Sequence, residues 1–289
     1  MSIKESELIL NHDGSVYHLN LKPENIANDI IFVGDQDRVE SISNHFDSIE
    51  FTTQKREFKT TTGIYKGKRL SIISTGIGPD NIDIVLNELD ALVNIDLKTR
   101  TPKKVLTSLN IIRIGTSGSL QKDIPVDSFL MSSHALDLNG MLHSYQIEEI
   151  SNQEIEDAFV KHTHWNPKKA HPILIKNSAV LAKKLMSEKI FTGITATAGG
   201  FYGPQGRVLR LPLQDAAINS KMDSFSFNGA RITNLEMETS AIYGLSKLLG
   251  HQALSMNAII ANRADGTFSA NYKKIVDGLI EYCLEKLVE

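Results

Sequence analysis

Two arginines stand beside glycine where a charge needs a reason. Gly34 and Arg38 bracket one turn, VGDQDR (33–38). Arg113 interrupts the apolar run of Ile111, Ile112 and Ile114 and leads into Gly115, Thr116 and Gly118, in IIRIGTSGSL (111–120). A guanidinium inside a buried strand is costly unless something pairs with it. Its planar fork matches phosphate, and backbone N–H groups at such turns form anion nests. One shared oxyanion would account for both arginines, with the glycines letting it approach the backbone. The other reading is that each arginine pairs with a nearby aspartate in a structural ion pair.

Two further groupings carry chemistry. In NLEMETSAIYGLSKLLG (234–250), Glu236 and Glu238 fall where a strand gives way to a helix. Carboxylates are favourable in a first helical turn from the dipole alone. They can also accept hydrogen bonds from a sugar diol, with Met237 packing on its apolar face. In FYGPQGR (201–207), Phe201 can stack on a flat ring. Gln205 offers one acceptor and two donors, and Arg207 only donors. Such a pair can read a planar imide, although a plain Gly/Pro turn has the same composition.

Other chemistries fit poorly. STGIGPD (74–80) lacks the third glycine of a dinucleotide fingerprint, and no P-loop lysine motif is present. KHTHWNPKKAH (161–171) offers His162, His164 and His171 but no Cys or carboxylate at a usual zinc spacing, so a polar surface loop is expected and no metal.

The elements that must position these residues follow from periodicity. IIFVG (30–34) reads as a buried strand and DQDRVESISNHF (35–46) as a helix. A hairpin is expected over 57–75 around Lys66-Gly67-Lys68. Pro79 can open a helix whose Ile82, Val85, Leu86, Leu89, Leu92 and Val93 share one face. Further strands are expected at 128–136, 191–198, 231–235 and 253–262, and helices at 173–188, 237–249 and 271–288. Alternating strands and helices predict an α/β sheet with helices on its faces. In such sheets ligands bind beyond the carboxyl ends of the strands. Lys98, Arg100, Lys103 and Lys104 in LKTRTPKKVL (97–106) read as a solvated connecting loop rather than a nucleic-acid contact. No repeat or linker divides the chain, so one domain over 1–289 is expected.

Composition sets the outer bounds. The 289 residues are 41% hydrophobic, enough for a sizeable core. The net charge of −3 makes no global case for nucleic acid. MSIKESELIL has no signal-peptide core, and no apolar run approaches the ~20 residues of a membrane span. Cys283 is the lone cysteine, which leaves no internal disulfide. A soluble, cytoplasmic enzyme or binding protein is expected.

Taken together and in order, VGDQDRVE, REF (56–58), STGIG, RIGTSG and LEMET (235–239) resemble the nucleoside phosphorylases of the purine/uridine phosphorylase type, the uridine-cleaving members most. The resemblance runs from VYHLNL (16–21) to the last helix. It implies a single α/β domain around a mixed, partly barrel-like central sheet flanked by helices. It implies phosphate held by the Gly34 backbone, Arg38, Arg113 and Thr116, and by Arg56 from a neighbouring subunit. Ribose would be held by Glu238 and Met237 with Glu236 in support, and His18 would come from the neighbour to the 5′-hydroxyl. The base would lie on Phe201, be read by Gln205 and Arg207, and have Arg263 behind it. Arg113, Gln205, Arg207 and Glu238 would carry the catalysis.

The implied reaction is reversible phosphorolysis of uridine to uracil and ribose 1-phosphate, with phosphate as co-substrate and no cofactor. The implied assembly is a homodimer as the smallest competent unit, within a hexamer in many members. Arg113 would then be a charge whose counter-ion is the second substrate. Its replacement by alanine is expected to cost ~10²–10³ in rate and to leave the fold intact.

The chain departs from the family pattern in three places. Y-P-G-Q-E-R reads YGPQGR, GIGGPS reads GIGPDN, and the LKTRTPKK stretch is extra. Some members hold a monovalent cation at the dimer interface with that serine and the Glu of REF. Asn81 stands there instead of the serine, which leaves the cation open. The nearest rival reading is a purine nucleoside phosphorylase, which uses an aspartate after the last core strand. Asn262-Arg263 stand there, with Asp265 two residues on. A nucleoside hydrolase would not need the arginines, and a non-catalytic nucleoside sensor is the alternative from another class.

Overall fold

A computed structural model describes residues 2–289. β1 (Asp29–Val33) is the run DIIFV, buried on both sides. Its alternate residues supply two cores: Ile30 and Phe32 face one way, Ile31 and Val33 the other. Asp35 caps α1 (Gln36–Ser43) by accepting the Arg38 N–H. β2 (Ser48–Lys55), β3 (Phe58–Tyr65) and β4 (Lys68–Ser74) form an antiparallel meander. The β3–β4 turn places Lys66 and Gly67 at φ 47° and 77°, as a two-residue hairpin requires.

α2 (Pro79–Asn94) opens on Pro79 and buries Ile82, Val85, Leu86, Leu89 and Leu92, the expected face. The two-residue strands β5 (Ile95–Asp96) and β6 (Thr101–Pro102) pair across the basic loop. That loop carries the N-terminal segment: Ile3 N–H donates to Arg100 O at 2.7 Å and Ser2 Oγ to Thr99 O at 3.1 Å.

β7 (Asn110–Ser119) contains Arg113, and β8 (Phe129–Asp137) follows it. α3 (Gln153–Thr163), β9 (Ile173–Lys176), α4 (Ala179–Leu185) and β10 (Ile190–Thr197) come next. The helix expected over 173–188 is corrected here. Ile173–Lys176 pair antiparallel with β8, and the helix begins only after Ser178, whose hydroxyl accepts the Leu181 N–H. Lys161, His162 and Thr163 end α3 instead of lying in a loop. The chain closes with α5 (Ile218–Asp223), β11 (Ser226–Phe227), β12 (Ala230–Glu236), α6 (Thr239–Leu248), β13 (Gln252–Asn262), β14 (Thr267–Phe268) and α7 (Tyr272–Val288).

The large sheet runs β11-β12-β10-β8-β13-β7-β1-β4-β3-β2 and mixes parallel with antiparallel pairs. β12 also pairs with β7, through Asn234 opposite Ser119 and Leu235 opposite Gly118. That contact closes β7, β13, β8, β10 and β12 into a ring, the barrel-like part of a mixed sheet. α2 and α6 cover one face, while α1, α4 and α7 cover the other. Among the described residues no helix is long and apolar enough to cross a membrane.

Candidate active site

A cavity of ≈ 290 Å³ opens where β1, β7 and β12 end. Gly34, Arg38, Arg113, Thr116, Phe201, Gln205, Arg207, Glu236, Met237 and Glu238 all line it. Residues scattered over two hundred positions of sequence are thus brought to one hollow.

Arg113 is 7% exposed and already has partners. Its Nη2 donates to Glu238 Oε2 at 2.7 Å and lies 3.3 Å from Glu236 Oε2, and its Nη1 donates to Asn257 Oδ1 at 3.0 Å. The expectation that its counter-ion awaits a ligand is therefore corrected: two glutamates from the β12–α6 junction neutralise it. Burial alone would pull the Arg113 pKa down, but the two carboxylates outweigh it and the net direction is up. Burial pushes Glu238 upward, Arg113 pulls it back, and Glu236 adds to the rise. Arg38 pairs with Asp35 at 2.8 Å and donates to Ile114 O at 3.4 Å. Burial lowers its pKa; Asp35 opposes this, and the charge of Arg113 nearby reinforces it.

Gly115 has a different purpose from the one expected. A Cβ there would sit 1.8 Å from Arg113 Nη1, so the guanidinium of its own strand, not a ligand, takes the space. Gly118 does line the cavity, with the Arg263 stem against it.

Glu236 is spent on the frame. It accepts Thr197 Oγ1 at 2.6 Å and the N–H groups of Glu238 and Thr239, each at 2.9 Å, at the start of α6. The helix-terminus reading of this acid thus holds. Glu238 Oε1 accepts the Gly78 N–H at 2.9 Å, where the chain enters α2 at φ 100°, a conformation that favours glycine. Met237 lies between the two acids on the cavity wall.

The other end is a short turn. Gln205, 2% exposed, accepts Arg207 Nη1 on its Oε1 at 2.6 Å. The same nitrogen donates to Phe201 O at 2.5 Å, and Arg207 Cζ stands 3.8 Å from the Phe201 ring centre. The pair is preassembled with both Gln205 amide hydrogens left to donate. One face of Phe201 is occupied by Arg207, so a stacked ring has only the other. Arg263 lies behind: burial and the Arg207 charge lower its pKa to about 10, and its Nη1 is buried without a partner.

Some residues point elsewhere. Asp265 is exposed, accepts Thr267 N–H and Oγ1 at 3.0 and 2.7 Å, and is held below its usual range by them. Asn262 is buried and donates to Gln121 O and Ile124 O. Arg56, exposed at φ 56° between β2 and β3, does not line this cavity. Neither does His18, whose Nδ1 meets Glu88 Oε1 at 2.7 Å. Glu57 and Asn81 both lie against Gly76. Among the described residues no three His, Cys, Asp or Glu side chains group to hold a metal.

Sequence reasoning missed Asn257 and Gly78. A lone amide inside SMNAII was the available signal for the first; the second closes the STGIG motif, which was given no role at that glycine. It also missed a larger hollow of ≈ 880 Å³ that shares Arg207 and is walled by Trp165, Tyr202, Leu209 and Leu211.

Known proteins share this architecture. The model of the Phosphorylase superfamily matches residues 29–283. A uridine phosphorylase of Thermococcus kodakarensis is 28% identical over 265 residues, covering 89% of this chain and 80% of that protein. A DeoD-type purine nucleoside phosphorylase of Streptococcus suis is 25% identical over 280 residues, covering 94% and 98%. The crystal structure of a Trypanosoma brucei nucleoside phosphorylase, which shows uridine phosphorylase activity, superposes with a TM-score of 0.87 at 31% identity, over 97% of this chain and 99% of that one. With the family match spanning most of its length, the chain belongs to the phosphorylase superfamily.

Proposed function

We propose that the chain catalyses the reversible phosphorolysis of uridine to uracil and ribose 1-phosphate. The observation that carries this is the Gln205–Arg207 pair facing the same hollow as Arg113 and Glu238. Phosphate binds at Gly34, Arg38, Arg113 and Thr116. Arg113 has five N–H donors, and its two glutamates and Asn257 leave donors for an anion, so it need not abandon them. Ribose lies on Met237 with a hydroxyl on Glu238, and Glu236 holds that segment in place. Uracil meets Phe201, Gln205 and Arg207, with Arg263 behind.

The C1′–N1 bond breaks with its electron pair moving to the uracil ring, where the donors of Gln205 and Arg207 stabilise the charge. A phosphate oxygen forms the new bond to C1′, and the proton that phosphate gives up goes to uracil. This is catalysis by placement and preorganised donors. Arg56 and His18, which stand off their own cavity, complete the neighbouring subunit's, so the working unit is a homodimer, acting in the cytoplasm.

The outward, hydrogen-bonded Asp265 supports a pyrimidine over a purine, since it offers no acid to a purine ring nitrogen. Ultraviolet absorbance on mixing protein with uridine or inosine, with and without phosphate, tests the reading. A change with uridine that needs phosphate is expected. Turnover of uridine without phosphate, or of inosine alone, would overturn it.

A further inference from the structure

The turn over 201–207, which carries Gln205 and Arg207, is poorly tied to the fold. It stands between two hollows. Phe201, Gln205 and Arg207 line the cavity of ≈ 290 Å³, while Tyr202, Gly203, Pro204 and Arg207 line the larger one of ≈ 880 Å³. Its backbone hydrogen bonds are its own: the Gln205 and Arg207 N–H groups both donate to Tyr202 O, at 3.1 and 2.9 Å, and Gly206 N–H donates to Gly203 O at 2.9 Å. The Gln205–Arg207 contact is internal too. Beyond the turn, Val208, Leu209 and Leu211 are exposed, so the departing chain gives no anchor. Among the described residues, one hydrogen bond joins 201–207 to the rest of the protein: Asn219 Nδ2 donates to Gly206 O at 3.3 Å.

Asn219 has a firm base for that task. It sits in α5, whose Ile218 and Met222 share a buried cluster with Ile194 of β10 and with Ile232 and Leu235 of β12. β12 ends at Glu236, so the asparagine refers the turn to the strand that leads into the carboxylate end of the cavity. Position 206 is built around it. Gly206 has φ 69°, and a Cβ there would sit 2.5 Å from Asn219 Nδ2 and 2.9 Å from its Cγ. The glutamate of the family pattern is absent here, and the asparagine amide takes the space beside the glycine. Stability does not account for Asn219. Its Oδ1 is buried without a donor, which is unfavourable, and asparagine is a poorer helix former than alanine. Its side chain makes one hydrogen bond, and that bond goes to the turn.

We propose that Asn219 is a positioning residue for base recognition: it fixes the Gly206 peptide and thereby aims Gln205 and Arg207 into the cavity. This rests on the assignment of those two side chains to uracil. Without the tie the donors remain but lose their preorganisation, and a misplacement of about 1 Å can cost ~10²-fold in rate.

Hydrogen exchange read by mass spectrometry, together with steady-state kinetics, tests this in Asn219→Ala. Alanine favours the helix, so α5 is kept. Exchange over 201–207 is expected to rise at least ~10-fold while β12 is unchanged. kcat/KM for uridine is expected to fall by ~10–10²-fold, with the KM for phosphate unchanged. Gly206→Ala, made in both backgrounds, sharpens the test. In the wild-type protein the new methyl displaces the Asn219 amide; in Asn219→Ala that amide is gone, so the same change should cost less. The strain of alanine at positive φ is common to both backgrounds and cancels. Unchanged exchange sinks the proposal, as does faster exchange with full uridine turnover. A phosphate KM that rises in step also sinks it, because the effect then reaches the whole cavity, and so do Gly206→Ala costs that are the same in both backgrounds. A wild-type protein that leaves uridine uncleaved overturns the reaction instead, and the exchange data then decide alone whether Asn219 holds the turn.

Discussion

At one end of the candidate cavity Arg113 touches two carboxylates and an amide; at the other stands Arg207, with Arg263 near it but off the lining, and among the described residues no acid pairs with either. The first end is assembled from strand ends and helix starts. Glu236 closes the start of α6, Glu238 meets the start of α2, and Arg113 ties both to β13. Its one guanidinium already faces two carboxylates before any ligand arrives. The second end is a short turn in which Arg207 Nη1 donates to Gln205 Oε1 and to the Phe201 carbonyl. It keeps an excess of positive charge. On the proposed reaction the difference has a reason: phosphate brings its charge fully formed, whereas uracil acquires charge only as the bond breaks, and a site rewards that only if its donors are not already neutralised.

The comparison can be broken at either end. The largest effect is expected for Arg113→Ala, which should lower turnover by ~10²–10³. It should also lower stability by about 3–5 kcal/mol, because two buried carboxylates lose their cation. Urea unfolding alongside the uridine assay reads both. Arg207→Ala should cost a similar ~10²–10³ in rate but change stability by no more than about 1 kcal/mol, since it leaves no acid behind. Equal destabilisation by the two variants would erase the contrast. Arg263→Met removes a guanidinium with an unpartnered buried Nη1. It should leave stability unchanged or raise it by about 1 kcal/mol, a shift of ~2–4 °C by calorimetry. Asp265→Asn should move uridine turnover by no more than about 0.5 kcal/mol, roughly a factor of two. A collapse in that variant would return the purine reading.

The same contrast explains what was readable in advance. Local signals served well where one segment determines itself. Ile30 to Val33, Pro79 opening α2, and the Lys66-Gly67 turn all appear as expected. Ile173–Lys176 misled because an apolar run joined to a helix has no periodicity of its own, and only pairing with β8 makes it a strand. β2 was passed over because SIEFTTQK alternates mostly polar residues on an exposed edge. The closure of β12 onto β7 joins residues more than a hundred positions apart and leaves no local mark.

At the candidate site, one cavity collects most of the side chains the motifs named, but not His18, Arg56 or Arg263. What they could not reveal is who satisfies whom. Arg113 was expected to meet an aspartate or a phosphate, and it meets glutamates 123 and 125 residues further on.

Position 115 shows how little slack that arrangement has. Its hydrogen faces a guanidinium already held through Nη1 and Nη2, and a carbon there would intrude to 1.8 Å from Nη1. The smallest exchange available to a protein chain, a methyl for a hydrogen, would therefore reach the arginine, Glu238 and Asn257 together while leaving every charge in place. Alanine at 115 is in that sense a wedge: it asks how much of the site's work depends on where its arginine points, with what the arginine is held constant.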